Sequence, residues 1–321
     1  MGKGYEEFGA PPDIEFPDAG ILKKPPLEAS EAEDPKLQQR RRIRIYSFLT
    51  LFIIFFAYLV WPTNSNSIYQ LNNWMSRLDP STSLSRISIP GTHDSGARFG
   101  GANWTCQKLT LAQQLEIGVR YLDIRCRHIE DRFDIHHMQE FQHLTFDEVL
   151  QVSKDFLKRN PSEVLIMRVK PEFEPANCIR NFSETFFTRY WDPTLFYEGN
   201  DFPLLKEARG RIYVLKNFEG GKSIGTNWKN IQLQDDWVVD TLESKRKSIQ
   251  DFYQKAINRS ANDSSLYVNH FSGSGTAGTP AAVSQEMNKL VPTFTNKLCG
   301  MIPMDFVEES LSRHLVSLNF Q

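Results

Sequence analysis

Two neighbouring residues, His93 and Asp94, follow a short strand-like run in the stretch SIPGTHDS, residues 88–95. Pro90 and Gly91 end that run, so both side chains fall on the loop behind it. A polar turn is one interpretation, because Pro-Gly followed by Thr, Asp and Ser is ordinary turn chemistry. Catalysis is the other, because the loops after strand C-termini carry the active sites of barrels and open α/β sheets.

Polar and aromatic side chains stand at the ends of most other strand-like runs. In chain order the residues are His93, Asp94, Asp123, Arg125, His136, His137, Lys170, Lys216, Asp235, Asp236, Trp237 and Asp305. Each of them alone is more simply explained as an ion pair, a solvated loop charge or a buried histidine. The strand ends of a barrel converge on one mouth, however, so the joint pattern favours an active site.

This set of side chains is suited to cleaving a phosphodiester. Two imidazoles with pKa values near neutrality can act as base and acid on either side of a phosphate. An arginine can hold two phosphate oxygens and stabilise the charge that grows in the transition state. Carboxylates behind the histidines would fix their tautomers. In-line displacement by these groups requires no metal ion and no cofactor.

The elements that must position these residues alternate between strands and helices. Strand-like runs cover residues 86–89, 119–125, 132–138, 163–170, 211–216, 231–237, 266–273 and 300–306. Helix-like periods cover 145–160, 239–259, 281–290 and 307–319. The alternation predicts a parallel sheet with both faces covered. Eight strands in residues 62–321, about 260 residues, predict an α/β fold of the distorted TIM (β/α)8 type.

One connection does not fit a regular barrel. Only CRHIED separates Arg125 from Arg132, and a parallel crossover needs about a dozen residues. Two explanations stay open: a crossover helix is missing, or the two strands pair as a hairpin.

The N-terminal part of the chain predicts a tail and a membrane anchor. Residues 1–39 are rich in acidic residues and proline, and we expect them to be disordered. Residues 40–61 combine RRRIR with 17 uncharged, mostly apolar residues, which is near the lower limit of about 17 for a spanning helix. We therefore predict a single N-terminal transmembrane helix before the barrel. The arginines place the N-terminus in the cytosol and residues 62–321 in the lumen or outside the cell.

Two further features favour that orientation. All four cysteines, Cys106, Cys126, Cys178 and Cys299, follow the predicted anchor, which suggests disulfides of undetermined pairing. Glycosylation sequons follow it too, at Asn103, Asn181, Asn258 and Asn262. The net charge of −2 gives no indication of nucleic-acid binding.

The chain also resembles a known family, the X domain of phosphatidylinositol-specific phospholipases C in its bacterial, single-domain form. The similar stretches are ISIPGTHDSG, QLEIGVRYLDIR, IHHMQEFQHLTFDEVL and NPSEVLIMRVKPE, followed by ARGRIYVLK, IQLQDDW, YVNHFSGSG and MDF. The resemblance covers residues 83–306 and implies a distorted TIM barrel that lacks some crossover helices. It also implies cleavage of phosphatidylinositol, or of a GPI anchor, to diacylglycerol and inositol 1,2-cyclic phosphate.

The family's catalytic roles carry over to matching positions. The resemblance makes His93 the general base that deprotonates the inositol 2-hydroxyl, with Asp305 as its orienting carboxylate. It makes His137 the general acid for the diacylglycerol oxygen, with Asp94 as its partner, and Arg125 the phosphate ligand.

The remaining predicted residues hold the inositol ring. In the family this role falls on the positions of Lys170, Lys216, Asp235 and Trp237, the last by stacking. Lys216 departs from the arginine of bacterial members, and Met138 departs from a glycine. Calcium-dependent relatives in animals use extra carboxylates where this chain has Arg125, so we predict that no metal is bound.

Three alternatives stay open. His136 is a second candidate for the acid, although strand alternation places His137 on the same face as Phe133 and Ile135. The chain could be a catalytically reduced, anchored domain that binds an inositol lipid or a glycan. A glycerophosphodiesterase barrel is a third possibility, but the glutamate-rich metal ligands that it needs after the first strand are absent.

Overall fold

The protein, studied as a computed structural model, is described for residues 36, 39, 69–222, 224–297 and 299–321. Residues Ser67–Gln321 form one compact unit, distinct from residues 1–66. That unit carries every predicted site residue. The predicted tail (1–39) and the predicted flank and anchor (40–61) lie outside the described residues, apart from Lys36 and Gln39.

Ten strands in this unit form one sheet. They are β1 (Ile89–Thr92), β2 (Tyr121–Ile129), β3 (Arg132–His137), β4 (Glu140–Thr145), β5 (Leu165–Pro171), β6 (Ile212–Lys216), β7 (Thr226–Asn227), β8 (Gln232–Gln234), β9 (Tyr267–Asn269) and β10 (Met301–Met304). Eight of them follow the order β7-β6-β5-β2-β1-β10-β9-β8, and the neighbouring pairs along it are parallel. In the described chain no pairing joins β7 to β8, so the barrel is open there.

The short link after β2 is a hairpin. β3 pairs with β2 in the antiparallel sense, and β4 pairs with β3 in the same way. Glu130 and Asp131 form the turn with φ values of 50° and 55°. Two consecutive residues at positive φ match the twist of paired strands, which is why a two-residue loop suffices. Of the two explanations for the short link, the hairpin is the correct one.

The helices lie between the parallel strands. The α-helices are α1 (Leu111–Glu116), α2 (Phe146–Arg159), α3 (Phe182–Thr185), α4 (Leu205–Ala208), α5 (Leu242–Ile257), α6 (Pro280–Met287) and α7 (Glu309–Ser317). A π-helical turn covers Phe186–Tyr190, and 3-10 turns cover Leu71–Arg77, Leu84–Arg86, Trp228–Asn230, Asn288–Thr293 and Leu318–Phe320. α2 begins with the predicted capping box, in which Thr145 and Glu148 bond each other's backbone N–H groups.

Strand alternation separates the polar site from the apolar core. Leu122 and Ile124 of β2 are fully buried in the larger apolar cluster. The intervening residues, Asp123 and Arg125, face the other side of the strand. β5 continues the pattern, because its Arg168 lies beside Asp123 and its Lys170 beside Arg125. Charged groups of opposite sign are thus adjacent across the two central strands.

The predicted fold class is right in its barrel and wrong in its anchor. The α/β barrel is distorted as predicted, because a hairpin replaces one crossover and the sheet stays open between β7 and β8. The prediction also placed a transmembrane helix before the barrel, and this part is wrong. None of the helices in the described residues combines the length and the apolar character that crossing a bilayer requires, and the predicted segment 45–61 lies outside those residues.

The predicted disulfides are also wrong. Cys106, Cys126, Cys178 and Cys299 are all free thiols. Cys106, Cys126 and Cys299 are fully buried, and a small apolar side chain packs well in such positions without oxidation. An even number of cysteines was therefore a misleading signal.

Candidate active site

The end of β1 delivers two adjacent side chains into the middle of the sheet. β1 lies between β2 and β10, and Thr92 is paired with both Leu122 and Met304. The next residue, His93, donates its backbone N–H to the carbonyl of Met304 at 3.0 Å. Asp94 then takes a left-handed conformation with a φ of 41°. This turn sends the two side chains towards different neighbours.

His93 forms a hydrogen-bonded pair with Asp305, the carboxylate that follows β10. Its Nδ1 lies 2.8 Å from Oδ1 of Asp305, and its Nε2 lies 2.6 Å from Nη2 of Arg125. Because a guanidinium can only donate, Nε2 is the acceptor and the proton sits on Nδ1. Burial, followed by the Arg125 charge, holds the pKa of His93 well below its ordinary value. His93 is thus a neutral imidazole whose Nε2 lone pair accepts from Arg125.

The carboxylate of this pair is buried beside a second acidic group. Burial, reinforced by the nearby Asp94, raises the pKa of Asp305 well above its ordinary value. The Nδ1 proton of His93 lies in the 2.8 Å contact, and its bond to the carboxylate stabilises the charge that Asp305 carries when it is ionised.

Arg125 is held by one carboxylate on its own strand and by another directly after β5. Oδ2 of Asp123 accepts from its Nε at 3.2 Å and from its Nη2 at 3.1 Å. Glu172 lies 3.8 Å from Nη1. Burial alone would raise the pKa of Asp123, but the charges of Arg125 and Arg168 outweigh it and hold that pKa well below its usual range. The guanidinium is thereby held charged in one orientation.

His137 lies at the end of β3, on the opposite side of Arg125. Its Nδ1 donates to the carbonyl of Trp104 at 2.8 Å and lies 3.4 Å from Oδ2 of Asp94. The same Oδ2 lies 3.5 Å from Nη1 of Arg125. Asp94 is completely buried, and this burial raises its pKa to about 6. The two terminal nitrogens of Arg125 thus face the two histidine–aspartate pairs.

Most predicted residues meet in one cleft of about 840 Å³. Of the predicted residues, those that line it are His93, Arg125, His137, Lys170, Asp235, Trp237 and Asp305. Asp94 lies beneath the cleft in the protein interior. Trp237 is 63% exposed at the rim, where a ring can contact a ligand. A larger cavity of about 1020 Å³ around Phe187 and Phe218 contains none of the predicted residues.

Lys216 is not brought to this cleft. Its Nζ donates to the carbonyls of Gly220 and Lys222, each at 3.1 Å, and the residue lines a separate cavity. The strand end was predicted correctly, since β6 ends at Lys216. The side chain turns towards the following loop because two carbonyl groups there are within its reach.

Two residues of the cleft were missed in the sequence. Arg168 donates to Oδ1 of Asn217 at 2.9 and 2.7 Å, stacks 3.8 Å above the ring of Trp228, and lies 3.3 Å from Asp123. Glu172 accepts from Lys170 at 2.7 Å. Strand alternation would have found Arg168, because it lies two residues before Lys170 on the same face.

The other histidines nearby have different surroundings. His136 lies on the other face of β3, is 4% exposed, and has an Nδ1 without a hydrogen-bond partner in the described chain. His270 lies fully buried with its ring 5.8 Å from that of His93, and burial lowers its pKa to about 4. His137, and not His136, is therefore the one that faces the cleft.

Comparisons with known proteins identify the family. The family model "Phosphatidylinositol-specific phospholipase C, X domain" matches residues 91–217. The 1-phosphatidylinositol phosphodiesterase of Listeria monocytogenes is 30% identical over 315 residues, which cover 84% of this chain and 96% of that protein. Its counterpart in Staphylococcus aureus (strain Newman) is 29% identical over 234 residues, covering 62% of this chain and 74% of the relative.

A solved structure agrees with these relatives. The phosphatidylinositol-specific phospholipase C from Listeria monocytogenes superimposes with a TM-score of 0.67 and 27% identity, covering 78% of this chain and 99% of that one. This chain therefore belongs to the family of phosphatidylinositol-specific phospholipases C. The predicted family and the predicted class of enzyme, a phosphodiesterase, are confirmed.

Proposed function

We propose that this chain cleaves phosphatidylinositol to diacylglycerol and inositol 1,2-cyclic phosphate. One observation carries the proposal: the guanidinium of Arg125 lies between two histidines in a single cleft. Its Nη2 contacts His93, and its Nη1 approaches Asp94, which in turn approaches His137. A phosphate bound to this guanidinium would have a base on one side and an acid on the other.

The base side of the site activates the nucleophile. The unprotonated Nε2 of His93 would take the proton of the inositol 2-hydroxyl, whose oxygen then attacks phosphorus. Substrate binding must displace the 2.6 Å contact between His93 and Arg125, so the hydroxyl takes over the lone pair that the guanidinium occupies. Asp305 stabilises the imidazolium that forms, through the bond from Nδ1.

The acid side releases the lipid. Protonated His137 would give its proton to the departing diacylglycerol oxygen, and Asp94 would stabilise the protonated ring at 3.4 Å. Arg125 would meanwhile hold the phosphate oxygens as charge accumulates on them. His93 gains one proton and His137 loses one, so the net charge of the site does not change. The cyclic phosphate likewise carries the same charge as the phosphodiester from which it forms.

Further groups of the cleft favour an inositol ring. Lys170, Asp235 and Arg168 provide donors and an acceptor for ring hydroxyls, and Trp237 provides an exposed face at the rim. We infer that these residues, without Lys216, select the headgroup. A GPI anchor presents the same inositol phosphate, so release of a GPI-linked reporter protein would extend the substrate range without changing the chemistry.

The test is turnover of phosphatidylinositol in mixed micelles. Replacement His93→Ala or His137→Ala should lower kcat by at least about 100-fold, the lower range for general acid–base catalysis. His143→Asn is the matched control, because His143 is exposed on β4 outside the cleft and asparagine tolerates its φ of 50°. Equal activity of the wild type and His93→Ala would overturn the proposal.

We also propose that turnover requires no metal ion. The buried, charged guanidinium of Arg125 would supply, beside the phosphate, the positive charge that a cation supplies in calcium-dependent relatives. Wild-type kcat should remain unchanged in excess EDTA. Loss of activity that returns on addition of Ca²⁺ would contradict this part of the proposal and would leave the family membership intact.

The compartment is a further proposal, that the catalytic unit lies in the lumen or outside the cell. Asn103, Asn258 and Asn262 of the sequons are exposed, whereas the exposed Asn181 uses its side chain to cap α3. Glycosidase treatment of the full chain from its native host should lower its apparent mass. No mass change, together with a cytosolic location, would contradict this proposal.

A further inference from the structure

Cys106 lies between the two histidine–aspartate pairs of the site. Ligand-type atoms of Cys106, Asp94 and His137 all lie within 4.8 Å of one another, and so do those of Cys106, His93 and Asp305. The Sγ atom is 3.8 Å from Nδ1 of His137. The cysteine is fully buried and has no role in the proposed reaction.

One carboxylate beside this thiol is short of partners. Both oxygens of Asp94 are buried without a hydrogen bond in the described part of the chain, whereas the Asp305 carboxylate has the Cys106 thiol as a hydrogen-bond partner. Buried carboxylate oxygens are normally satisfied by donors or cations, because leaving them bare is costly. The Arg125 guanidinium approaches Asp94 only to 3.5 Å. The interior face of the site therefore has unused capacity for a cation.

The spacing of these atoms matches one kind of ion. Zn²⁺ binds cysteine sulfur at about 2.3 Å and histidine nitrogen or carboxylate oxygen at about 2.0–2.2 Å, in a tetrahedron whose ligand atoms are then roughly 3.3–3.7 Å apart. Here Nδ1 of His137 lies 3.4 Å from Oδ2 of Asp94 and 3.8 Å from Sγ of Cys106. A thiol with an imidazole and a carboxylate is also the donor set that Zn²⁺ accepts and that Ca²⁺ and Mg²⁺ do not favour.

We propose that Asp94, Cys106 and His137 form a binding site for Zn²⁺ or a similar thiophilic divalent cation, and that an ion bound there inhibits the enzyme. On binding, the thiol loses its proton to solvent, and the ring binds through Nδ1 as a neutral imidazole whose one proton is on Nε2, so that a protonated His137 releases its second proton to solvent as well. The ring then gives up its bond to the Trp104 carbonyl. A water molecule would complete four-coordination.

Some charges around the site repel a cation and others attract it. Arg125 opposes a cation, whereas Asp305, Asp123 and Glu172 attract one. His93 and Asp305 form the second, overlapping set with Cys106, so they lie close enough to contribute to the field on the ion. The histidine is also reachable, because His137 lines the cleft through which an ion would enter.

The inhibition rests on the proposed function, but binding does not. A cation on Nδ1 of His137 replaces the imidazolium by a neutral, metal-bound ring, and the remaining N–H at Nε2 is then a much weaker acid towards the leaving group. The ion also draws Asp94 away from its supporting position. Metal binding can be measured without any substrate. The two claims therefore fail separately.

A second cluster provides a matched control. His128, Asp131 and Cys178 also have ligand atoms within 4.8 Å of one another. The ligand atoms of His128 and Asp131 already have hydrogen-bond partners, however. Nε2 of His128 lies 2.9 Å from the Thr185 hydroxyl, and Oδ1 of Asp131 accepts two backbone N–H groups, at 3.0 and 2.9 Å. We expect this cluster to bind Zn²⁺ weakly or not at all.

The experiment titrates Co²⁺, a spectroscopic substitute for Zn²⁺, into the full chain and into Cys106→Ala, Cys106→Ser and Cys178→Ala. The wild type and Cys178→Ala should bind one equivalent with a thiolate-to-cobalt charge-transfer band. Cys106→Ala should lose the band and bind at least about 10-fold to 100-fold more weakly. Cys106→Ser keeps a hydroxyl in the core, so it tests the ligand if the alanine variant does not fold.

Zn²⁺ inhibition is then compared on phosphatidylinositol micelles. The concentration for half-inhibition should rise at least about 10-fold in Cys106→Ser and should stay unchanged in Cys178→Ala. Absence of a thiolate band in the wild type would overturn the proposal. Loss of the band in Cys178→Ala with its retention in Cys106→Ser would also overturn it, because the ion would then occupy the other cluster.

Discussion

At the scale of single residues, His93 depends on its neighbours for its protonation state. Burial and the positive charge of Arg125 both disfavour the imidazolium, so the pKa of His93 is well below its ordinary value of 6.5. A base with a lowered pKa stays unprotonated in acid. We therefore predict that the Cε1–H resonance of His93 titrates below pH 6.5 in NMR spectra, with its assignment taken from His93→Gln.

Arg125→Gln provides the complementary change. Removing the guanidinium eliminates a charge 2.6 Å from Nε2 and leaves the Asp123 carboxylate, which raises the pKa of His93. The titration midpoint should move upward by about one pH unit or more. A midpoint that does not move, or that moves downward, would show that Arg125 does not control the base.

Arg168 acts on the site through Asp123. Its planar group bonds Asn217 twice and stacks on Trp228, and a lysine can do neither. Arg168→Lys should lower kcat/KM by about 10-fold to 100-fold, because the lost bonds to a charged group are worth about 1.5–3 kcal/mol. The assay uses Arg189→Lys as its control, since that arginine pairs with Asp147 on the surface. Equal activities of the two variants would refute the role of Arg168.

The sequence predicted single residues well where a strand ended in a polar group. His93, Arg125, His137 and Asp305 come together as strand-end convergence requires. Lys216 does not join them. The backbone places its Cα at the strand end, but its flexible side chain turns towards the following loop. Arg168 lies in mid-strand and could be found only by strand alternation from Lys170, whereas Glu172, a glutamate after proline, gives no local sign that it faces a cleft.

At the scale of elements, the β2–β3–β4 hairpins bring the acid into the site. A parallel crossover after β2 would have required more chain and would have placed His137 elsewhere. The sequence indicated that the link was short, but hairpin and missing helix gave the same pattern. β4 was not predicted, because its six residues, Glu140–Thr145, run directly into the capping box of α2.

A buried ion pair joins elements at the other end of the barrel. Arg120 bonds Glu163 at 2.8 Å, and its remaining donors reach the carbonyls of Leu71, Asn72 and nearby residues. Both side chains are completely buried. Glu163→Ala should lower the free energy of unfolding by about 3–5 kcal/mol, because it leaves an uncompensated buried charge.

Chemical denaturation of two variants tests this. Glu116→Ala removes the partner of Arg159 at 3.1 Å, in a pair whose side chains are about half exposed. That change should cost less than about 1 kcal/mol. Similar losses in Glu163→Ala and Glu116→Ala would contradict the role assigned to the buried pair.

At the scale of the whole molecule, the described fold contains no disulfide. The four cysteines are free, and only Cys178 is partly exposed. We predict four reactive thiols per chain after denaturation without reductant, and one rapidly reacting thiol in the native protein. A chromogenic disulfide reagent measures both counts. Two thiols or none after denaturation would show that disulfides had formed.

The barrel could be predicted from the sequence as a class but not as a closed shape. Alternating strands and helices indicated a parallel sheet, whereas pairing between β7 and β8 depends on side-chain packing and loop lengths that periodicity does not contain. The predicted anchor came from a run of apolar residues, and the predicted disulfides came from an even number of cysteines. Neither feature of the composition determines which contacts the folded unit makes.

The most direct test of the central claim is phosphorus NMR of the products formed from phosphatidylinositol. Attack by the inositol 2-hydroxyl predicts inositol 1,2-cyclic phosphate as the first phosphorus product, with any monoester appearing only later. His93→Ala should form neither at a measurable rate, whereas His143→Asn should behave as the wild type. Direct appearance of inositol phosphate without the cyclic intermediate would contradict the account, because water and not the 2-hydroxyl would then be the nucleophile.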